Sequence, residues 1–540
     1  MSTNGDDRHT RQSDVQADVE AFLSDPATYG GRVAEVGRID THAAIVFLAG
    51  DDVYKIKRAV RFPFLDFSTP DKRRRACERE VELNRLTAPE LYLGAVPIVR
   101  SPEGRLSFSG RGPVVEWAVH MRRFDETATF DRLAGEGALT QDLLDELAAR
   151  IADLHEKAPV AAIDDPAGEI GRVALESCEE LAASPGLFPA DEVEELTEQT
   201  RAALQRLRPL IDRRARDGAI RRCHGDLHLG NVALIDGAPV IFDALEFDEA
   251  LATIDVFYDL AFLLMDLWER GLRSEANRVL NRWLVSRRDR NDIPGLALLP
   301  LFLSMRAAIR AKVGAARATH LGGDAREAAV GEARGKFAAA RAFLAPRAPR
   351  LVAVGGLSGT GKTTVAMALA ADIGAAPGAI VVRSDVVRKV MFGARETERL
   401  PPDAYTPEAG LEVYAEMETQ AAAILATGHS AILDGVHARP EERNAARGVA
   451  TACAVPFTGI WLRAPEDELV ARVDARSGDA SDANASVVRR QLGYDTGRID
   501  WIEVDAGGDR DRVVARVRAA MADILPPHNR ATNGPRTNGR

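Results

Sequence analysis

The stretch that most constrains the fold runs from Leu351 to Ala370 and has the sequence LVAVGGLSGTGKTTVAMALA. Its first, apolar part predicts a buried strand, and the apolar run after the glycines predicts a helix. Residues 356–363 between them (GLSGTGKT) fill the pattern GxxxxGK[ST]. Glycines at this spacing let backbone N–H groups converge on an anion at a helix N-terminus. The sequence therefore predicts a phosphate-binding loop for a nucleoside triphosphate.

The residues of this loop have distinct predicted roles. Lys362 would contact the β- and γ-phosphates, and the Thr363 hydroxyl would hold Mg²⁺. ATP and Mg²⁺ are therefore the predicted cofactors. The other residues predicted to surround the phosphates are Gly356, Ser358, Gly359, Thr360, Gly361 and Thr364.

Composition limits the class of protein. A chain of 540 residues predicts about two to four domains, and 46% hydrophobic with 28% charged residues is typical of globular cores. The formal net charge of -11 argues against avid non-specific binding to nucleic acid or anionic membranes. The polar N-terminal residues lead us to expect no secretory signal, the apolar run near residue 300 is expected to be too short for a membrane span, and no CxxC pair occurs. We therefore expect a cytoplasmic protein without a membrane partner.

Periodicity predicts two domains flanked by disordered tails at residues 1–16 and 526–540. The first domain, residues 17–345, has short β-type runs over about 30–121 and a mainly helical pattern over 122–345. A hairpin interrupts the helical part, with the two-residue turn Asp236-Gly237. The segment APRAPR then marks the boundary to a second domain, residues 350–525.

The hairpin follows the string HGDLHLGN at residues 224–231, and its second strand ends at Asp243. An aspartate, an asparagine five residues later and a second aspartate after a hairpin have the spacing of a kinase-like catalytic centre. Asp226 would accept the proton of an acceptor hydroxyl, and Asn231 and Asp243 would hold Mg²⁺ against the phosphates. Residues 30–345 resemble the aminoglycoside phosphotransferase-like family, which uses HGDxHxxN at this place.

This resemblance implies a two-lobed α+β kinase-like domain and further nucleotide-binding residues. Lys55 of VYKIKR would contact the α- and β-phosphates, with Glu80 of the following helix as its partner. Lys57 lies on the same strand face as Lys55, so the choice between the two lysines stays open. Met121 would border the adenine. The turn expected to cover the phosphates lacks the GxGxxG pattern.

The second domain carries further polar residues after predicted strands. Asp385 and Arg388 follow the strand IVVR, where Asp385 could take the acceptor proton and Arg388 could hold an anionic group. Asp434 follows another strand and suits Mg²⁺ binding. Arg472 and Arg476, four residues apart, would close over the transferring phosphoryl group as part of a helical lid.

Residues 350–525 resemble the P-loop small-molecule and polynucleotide kinases, including zeta-toxin-like and gluconate-kinase-like members. The resemblance implies an α/β P-loop NTPase domain, whose strand runs predict a five-stranded parallel sheet.

The combined prediction is a bifunctional ATP-dependent phosphotransferase that acts on small-molecule hydroxyl acceptors. One alternative is that one domain binds nucleotide as a regulatory module and only the other is a kinase. Another is that the P-loop domain phosphorylates a polynucleotide end or a nucleotide sugar. The sequence leaves the acceptors, the coupling of the two sites and the oligomeric state open.

Overall fold

The computed structural model describes residues 16–62, 65–184, 186–289, 291–475 and 480–523, so both predicted tails lie almost entirely outside the described residues. The contacts divide the chain into two compact units. The first comprises the described residues up to Leu147, with Lys157–Ala161 and Ile220–Asp259, and the second comprises Ala148–Glu156, Ala162–Ala219 and the described residues from Leu260 onward. The domain boundary near residue 350 stays a prediction.

Strands and helices are numbered here in chain order. The strands are β1 (Gly37–Asp40), β2 (Ala44–Ala49), β3 (Asp52–Lys57), β4 (Arg61–Phe62), β5 (Leu65–Asp66), β6 (Tyr92–Arg100), β7 (Leu106–Ser107), β8 (Val114–Arg122), β9 (Ile220–Arg222), β10 (Val232–Ile235), β11 (Ala238–Ile241), β12 (Thr253–Asp255), β13 (Leu351–Gly356), β14 (Ile380–Arg383), β15 (Ala431–Asp434), β16 (Phe457–Arg463) and β17 (Ile502–Asp505). The helices are α1 (16–24), α2 (Pro70–Asn84), α3 (Phe130–Glu136), α4 (Gln141–Lys157), α5 (Pro166–Ala182), α6 (Ala190–Arg216), α7 (Glu249–Ala252), α8 (Val256–Glu269), α9 (Arg273–Arg287), α10 (Asp292–Gly295), α11 (Leu299–Ala318), α12 (Gly323–Leu344), α13 (Lys362–Ala370), α14 (Ser384–Met391), α15 (Pro407–Ala426), α16 (Pro440–Ala452), α17 (Glu466–Asp474), α18 (Ala485–Leu492) and α19 (Arg510–Ala520).

A six-stranded antiparallel sheet forms the first part of the first unit, with the strand order β1-β2-β3-β8-β6-β7. Alternation along β3 buries Val53 and Ile56 in clusters on the two faces of the sheet. Helix α2 begins where the Thr69 hydroxyl accepts a hydrogen bond from the Lys72 N–H. This helix packs on the sheet and buries Glu80 completely.

The predicted hairpin is confirmed as β10 and β11, which pair from Val232↔Ile241 to Ile235↔Ala238. Its turn residues Asp236 and Gly237 have φ angles of 50° and 81°. Positive φ at both central residues matches the right-handed twist of the strands, and glycine adopts it without strain. The hairpin sets the HGDLHLGN segment at its start and Asp243 at its end.

Apolar helices form much of the second unit. Among the residues that the structure describes, one helical stretch, Asp292–Ala318, is long and apolar enough to cross a membrane by length and composition. The expectation that this run is too short was wrong, because α10 and α11 follow each other almost without interruption. Since 72% of its apolar window is buried inside the protein, as in a core helix, it is weak evidence for a membrane span.

The second unit also contains a five-stranded sheet in the order β14-β15-β13-β16-β17. All four strand pairs are parallel, which confirms the predicted sheet. The central strand β13 is buried along its whole length, as expected when helices cover both faces. Because the strands are parallel, their carboxyl ends meet at one edge, where open α/β sheets bind ligands.

Two asparagines of α9 cover the outer edge of β14. The Asn281 side chain accepts a hydrogen bond from the Val381 N–H at 2.7 Å and donates one to the Ala379 carbonyl at 3.2 Å. Asn277 donates a second hydrogen bond to that carbonyl at 3.0 Å. Both side chains are buried, so the amides satisfy backbone groups that an edge strand otherwise leaves unpaired.

We predict opposite effects for two glycine-to-alanine substitutions. A Cβ atom at Gly459 would lie 2.3 Å from the Trp501 ring, so Gly459→Ala should lower the free energy of unfolding by about 1–3 kcal/mol. Gly410 lies in α15 with open space around its Cβ position, so Gly410→Ala should raise it by about 0.5–1 kcal/mol. Urea unfolding of both variants measures the difference. A stability for Gly459→Ala equal to that of the unaltered protein would contradict the packing described.

Candidate active sites

The first candidate site is built around Lys55, which extends from β3 between two carboxylates. Its Nζ lies 2.9 Å from Glu80 Oε1 and 2.6 Å from Asp243 Oδ1. Burial opposes the charge of Lys55, but Asp243 and Glu80 outweigh it and hold its pKa well above the ordinary value. The sheet, helix α2 and the segment after the hairpin thus meet at Lys55, which stays charged.

Lys57 is held deeper in the same network. Its Nζ donates to Glu80 Oε2 at 2.5 Å and to Glu246 Oε1, and 3% of its side chain is exposed. Burial alone would raise the pKa of Glu80, but Lys55 and Lys57 lower it to about 2. The Lys57 ammonium therefore neutralises buried carboxylates, and the more exposed Lys55 lies beside the predicted metal ligand Asp243.

Asp226, the predicted base, lies next to Asn231 in the HGDLHLGN loop. The Asn231 amide donates to the Asp226 carbonyl at 2.9 Å and to Asp226 Oδ2 at 3.1 Å. His228 Nδ1 accepts a hydrogen bond from the Gly230 N–H, and its Nε2 lies 3.5 Å from Asp226 Oδ2. His228 therefore orients the loop and faces the carboxylate.

A buried carboxylate on α8 anchors the start of this loop. Asp259 accepts hydrogen bonds from the N–H groups of His224 at 3.2 Å and Gly225 at 2.8 Å. Gly225 has a φ of 85°, and a Cβ there would lie 2.9 Å from the Ala252 Cβ. Burial lowers the pKa of His224, whose Nε2 lies 2.9 Å from the Phe242 carbonyl. The loop is thus tied to the hairpin and to α8.

Two supporting residues were missed at the sequence level. The Tyr92 hydroxyl accepts a hydrogen bond from the Asp243 N–H at 3.1 Å, and Asn84 Oδ1 accepts one from the Ala244 N–H at 2.8 Å. Asn84 follows Glu80 by one helical turn, and this spacing could have indicated a shared face. Tyr92 lies on β6, and nothing local in the sequence marks it.

Met121 and three acidic residues close to Asp243 in sequence have contacts of their own. Met121 of β8 pairs with Val53 of β3 and is 8% exposed within an apolar cluster. Glu246 binds Lys57 in the interior, and Glu249 pairs with arginine side chains. Asp248 accepts a hydrogen bond from the N–H of Ala250 at the start of α7. Each of these three acidic side chains is thus bound by another group of the protein.

The phosphate loop connects β13 to α13. Gly356, Gly359 and Gly361 have φ angles of 139°, 88° and 85°, which other residues rarely adopt. A Cβ at Gly356 or Gly359 would lie 2.6 Å from a backbone oxygen. Both conformation and space therefore require glycine at Gly356 and Gly359, and conformation requires it at Gly361.

Polar loop residues converge on the carboxyl end of β15. The Thr363 hydroxyl donates to Asp434 Oδ2 at 2.6 Å, and Lys362 Nζ donates to the Leu357 carbonyl at 3.1 Å. Burial raises the pKa of Asp434, so a cation here would stabilise its ionised form. The paired hydroxyl and carboxylate oxygens are ligands that suit Mg²⁺.

The remaining residues of the loop lie around it. The Thr360 hydroxyl donates to the Leu357 carbonyl at 2.8 Å, and Thr364 lies in the first turn of α13. The Ser358 N–H donates to Gln491 Oε1 at 2.7 Å. The contact from Gln491 of α18 to the loop was not expected from the sequence, because Gln491 lies far along the chain.

Asp385 and Arg388 lie on α14, directly after β14. Asp385 is in the first turn of the helix, where a carboxylate interacts favourably with the helix dipole. Arg388 donates to the Ala404 carbonyl, and its guanidinium lies 5.1 Å from the centre of the Tyr405 ring. Both therefore lie at the predicted ligand-binding edge of the sheet.

The structure describes Arg472, one of the two predicted lid arginines. The Arg472 guanidinium donates to Glu468 at 2.8 Å, to the Ala506 carbonyl at 2.9 Å and to the Gly508 carbonyl at 2.7 Å. It also lies 3.4 Å from the Gly359 carbonyl of the phosphate loop. Arg476 lies outside the described residues. In this structure, Arg472 thus connects the loop to α17 and to the segment after β17.

Comparison with known proteins identifies two families along the chain. Residues 48–298 match the "Phosphotransferase enzyme family", and residues 351–494 match the family described as "AAA domain". Both resemblances drawn from the sequence are confirmed: a kinase-like phosphotransferase fold precedes a P-loop domain.

Similar proteins are found among mycobacteria. The uncharacterised protein Rv2004c of Mycobacterium tuberculosis (strain ATCC 25618 / H37Rv) is 31% identical over 491 residues, covering 88% of this chain and 93% of that protein. The same values hold for the uncharacterised protein Mb2027c of Mycobacterium bovis (strain ATCC BAA-935 / AF2122/97).

Solved structures resemble single parts of the chain. The GDP and kanamycin complex of APH(2")-IIia is 15% identical, with a TM-score of 0.39, and covers 59% of this chain and 99% of its own. A gluconokinase from Sinorhizobium meliloti 1021 is 21% identical, with a TM-score of 0.24, and covers 33% of this chain and 95% of its own.

We predict that Lys57→Met destabilises the protein, because it leaves the buried carboxylate of Glu246 without its cation. The free energy of unfolding should fall by about 3–5 kcal/mol. Removing both charges with Lys57→Met and Glu246→Leu should recover part of this loss, because an apolar pair needs no neutralisation. Urea unfolding of the single and double variants measures both values. A double variant no more stable than Lys57→Met would count against the pairing.

Proposed function

We propose that both domains are ATP-dependent phosphotransferases. The chain belongs to the same family as the mycobacterial proteins Rv2004c and Mb2027c. Its phosphotransferase-family and AAA domains indicate phosphotransferase activity. We further propose that each domain transfers the γ-phosphoryl group of ATP to a hydroxyl group of a small molecule. The -11 net charge argues against a nucleic-acid acceptor.

The observation that carries the proposal for the first domain is the position of Lys55 between Glu80 and Asp243, at 2.9 and 2.6 Å. A charged lysine beside a metal-binding carboxylate suits the α- and β-phosphates of ATP. This contact favours Lys55 over Lys57 as the phosphate lysine. Lys57, paired on both sides in the interior, would hold Glu80 in place.

Transfer in the first domain would depend on positioning. Asp226 would accept the proton of the acceptor hydroxyl, while His228 and Asn231 keep its carboxylate oriented. Asn231 and Asp243 would hold Mg²⁺, which supplies charge neutralisation for the phosphates when bound. Asp259 anchors the loop and would thereby hold Asp226 in position relative to the nucleotide.

The second domain would use the same principle on another scaffold. Lys362 and the loop amides would bind the phosphates, and Thr363 and Asp434 would hold Mg²⁺. Asp385 would take the acceptor proton, and Arg388 would bind an anionic group of the acceptor. Arg472, tied to the phosphate loop, would act by supporting that loop.

We also propose that the protein works in a reducing compartment such as the cytoplasm. Its four cysteines are free, and three are buried. Free thiols persist where the cell keeps them reduced.

Two substitutions test the assignment of one activity to each domain. Asp226→Asn should abolish transfer by the first domain with MgATP binding retained, because the amide cannot accept the proton. Lys362→Ala should abolish transfer by the second domain. Transfer of label from γ-labelled ATP into a small-molecule extract of cells, compared with the unaltered protein, measures both activities.

The pattern of lost products separates the alternatives. Loss of a different labelled product in each variant supports two kinases and identifies their acceptors. If only Lys362→Ala changes the pattern, the first domain is better described as a regulatory nucleotide-binding module. Full transfer by Asp226→Asn would refute the role of Asp226 as base, and loss of both products in one variant would indicate coupled sites.

A further inference from the structure

A buried histidine lies at the ligand-binding edge of the P-loop sheet. His437 follows Asp434 of β15 by three residues and is 1% exposed. Among the described residues, neither of its ring nitrogens has a hydrogen-bond partner. Its φ of 48° is in the left-handed region, which non-glycine residues seldom adopt. A buried polar group without a partner calls for an explanation, because burial removes its hydrogen bonds to water.

The surroundings of His437 keep its ring uncharged and fixed. Burial, with Lys362 and Arg443 nearby, lowers its pKa to about 3. The ring centre lies 5.1 Å from that of Tyr414 and 5.2 Å from that of Trp501. A neutral imidazole has one N–H donor and one acceptor nitrogen. Both nitrogens are buried and lack a hydrogen-bond partner among the described residues.

Tyr414 connects this histidine to the predicted acceptor-binding residues. Its hydroxyl accepts a hydrogen bond from the His437 N–H at 2.8 Å. Its helix, α15, packs against α14, which carries Asp385 and Arg388, and against β15. His437 and the Asp385–Arg388 pair therefore lie beside the same helix.

We propose that His437 is a specificity-determining residue that hydrogen-bonds a non-reacting hydroxyl group of the P-loop domain's acceptor. The acceptor would be a small polyhydroxylated molecule whose anionic group Arg388 binds. A hydroxyl group both donates and accepts hydrogen bonds, so it matches the two free ring nitrogens.

This inference rests on the proposed function and fits its chemistry. A second hydroxyl oxygen of the acceptor forms the bond to the γ-phosphorus, and its proton passes to Asp385. The bond from the γ-phosphorus to the bridging oxygen breaks, and ADP leaves with the electron pair. His437 takes no part in these bond changes. Its contribution is to orient the acceptor.

His429 provides a matched control at the other end of the same strand. It is also 1% exposed, burial lowers its pKa to about 4, and its Nδ1 lies 3.5 Å from the Thr427 hydroxyl oxygen. It precedes β15, whereas His437 follows it. Substitution of either histidine removes a buried imidazole, but only His437 lies near the predicted acceptor site.

The test uses the full chain carrying Asp226→Asn, so that label enters products of the P-loop domain alone. The probe is the extract fraction labelled in a Lys362-dependent manner. With His437→Leu, the amount of fraction needed for half-maximal rate should rise about tenfold, with the KM for ATP unchanged. His437→Gln, which keeps a donor and an acceptor, should recover part of the loss. His429→Leu should leave both values unchanged.

Other outcomes would overturn the proposal. A raised KM for ATP in His437→Leu would assign the ring to the nucleotide, and equal losses in the leucine and glutamine variants would indicate packing alone. Absence of any Lys362-dependent product would refute the proposed function, and this inference with it.

A second measurement does not depend on the folding of the leucine variant. In the unaltered protein with ¹³C-labelled histidine, the His437 ring signal, identified by its absence in His437→Gln, should shift when MgADP and the fraction are added together. MgADP alone should leave it in place. A His437 signal that the fraction does not move would overturn the proposal.

Discussion

The carboxylate of Glu80 has no exposed surface, and the first candidate site depends on how its charge is neutralised. Each of its oxygens binds one lysine of β3, because Lys55 and Lys57 project from the same strand face. Each lysine then binds a carboxylate of the segment after the hairpin, Asp243 or Glu246. One buried charge thereby fixes the sheet, α2 and the segment after the hairpin relative to one another within the first unit.

The sequence predicted the fold correctly where the informative residues are close neighbours in the chain. The phosphate loop and the HGDLHLGN string predicted both domain folds, because their conformations depend on local glycines, turns and strand ends. The choice between Lys55 and Lys57 could not be made in this way, since both lysines share a strand face. Their different partners, Asp243 and Glu246, follow almost two hundred residues later, and only folding brings them to β3.

The same limit of sequence-based prediction applies to the candidate P-loop site. Asp385, Arg388 and Asp434 could be predicted because parallel strands bring their carboxyl ends to one edge. His437 could not, because a single histidine after a strand has no pattern of its own. Its isolation from hydrogen-bonding partners arises from Tyr414 and Trp501, which are distant in sequence. The role of a residue such as His437 depends on the residues that fold around it.

The asparagines of α9 bear on whether the P-loop domain can exist as a separate piece. Asn277 and Asn281 satisfy backbone groups of Ala379 and of Val381 in β14. Those backbone groups lie within the AAA match at residues 351–494, whereas the two asparagines lie outside it. A fragment beginning at residue 350 would keep every strand of the sheet but lose these amides. Its outermost strand would then be free to pair with another copy. The P-loop motif can thus be recognised in a short stretch of sequence, whereas the edge of the folded sheet is covered by side chains from the preceding part of the chain.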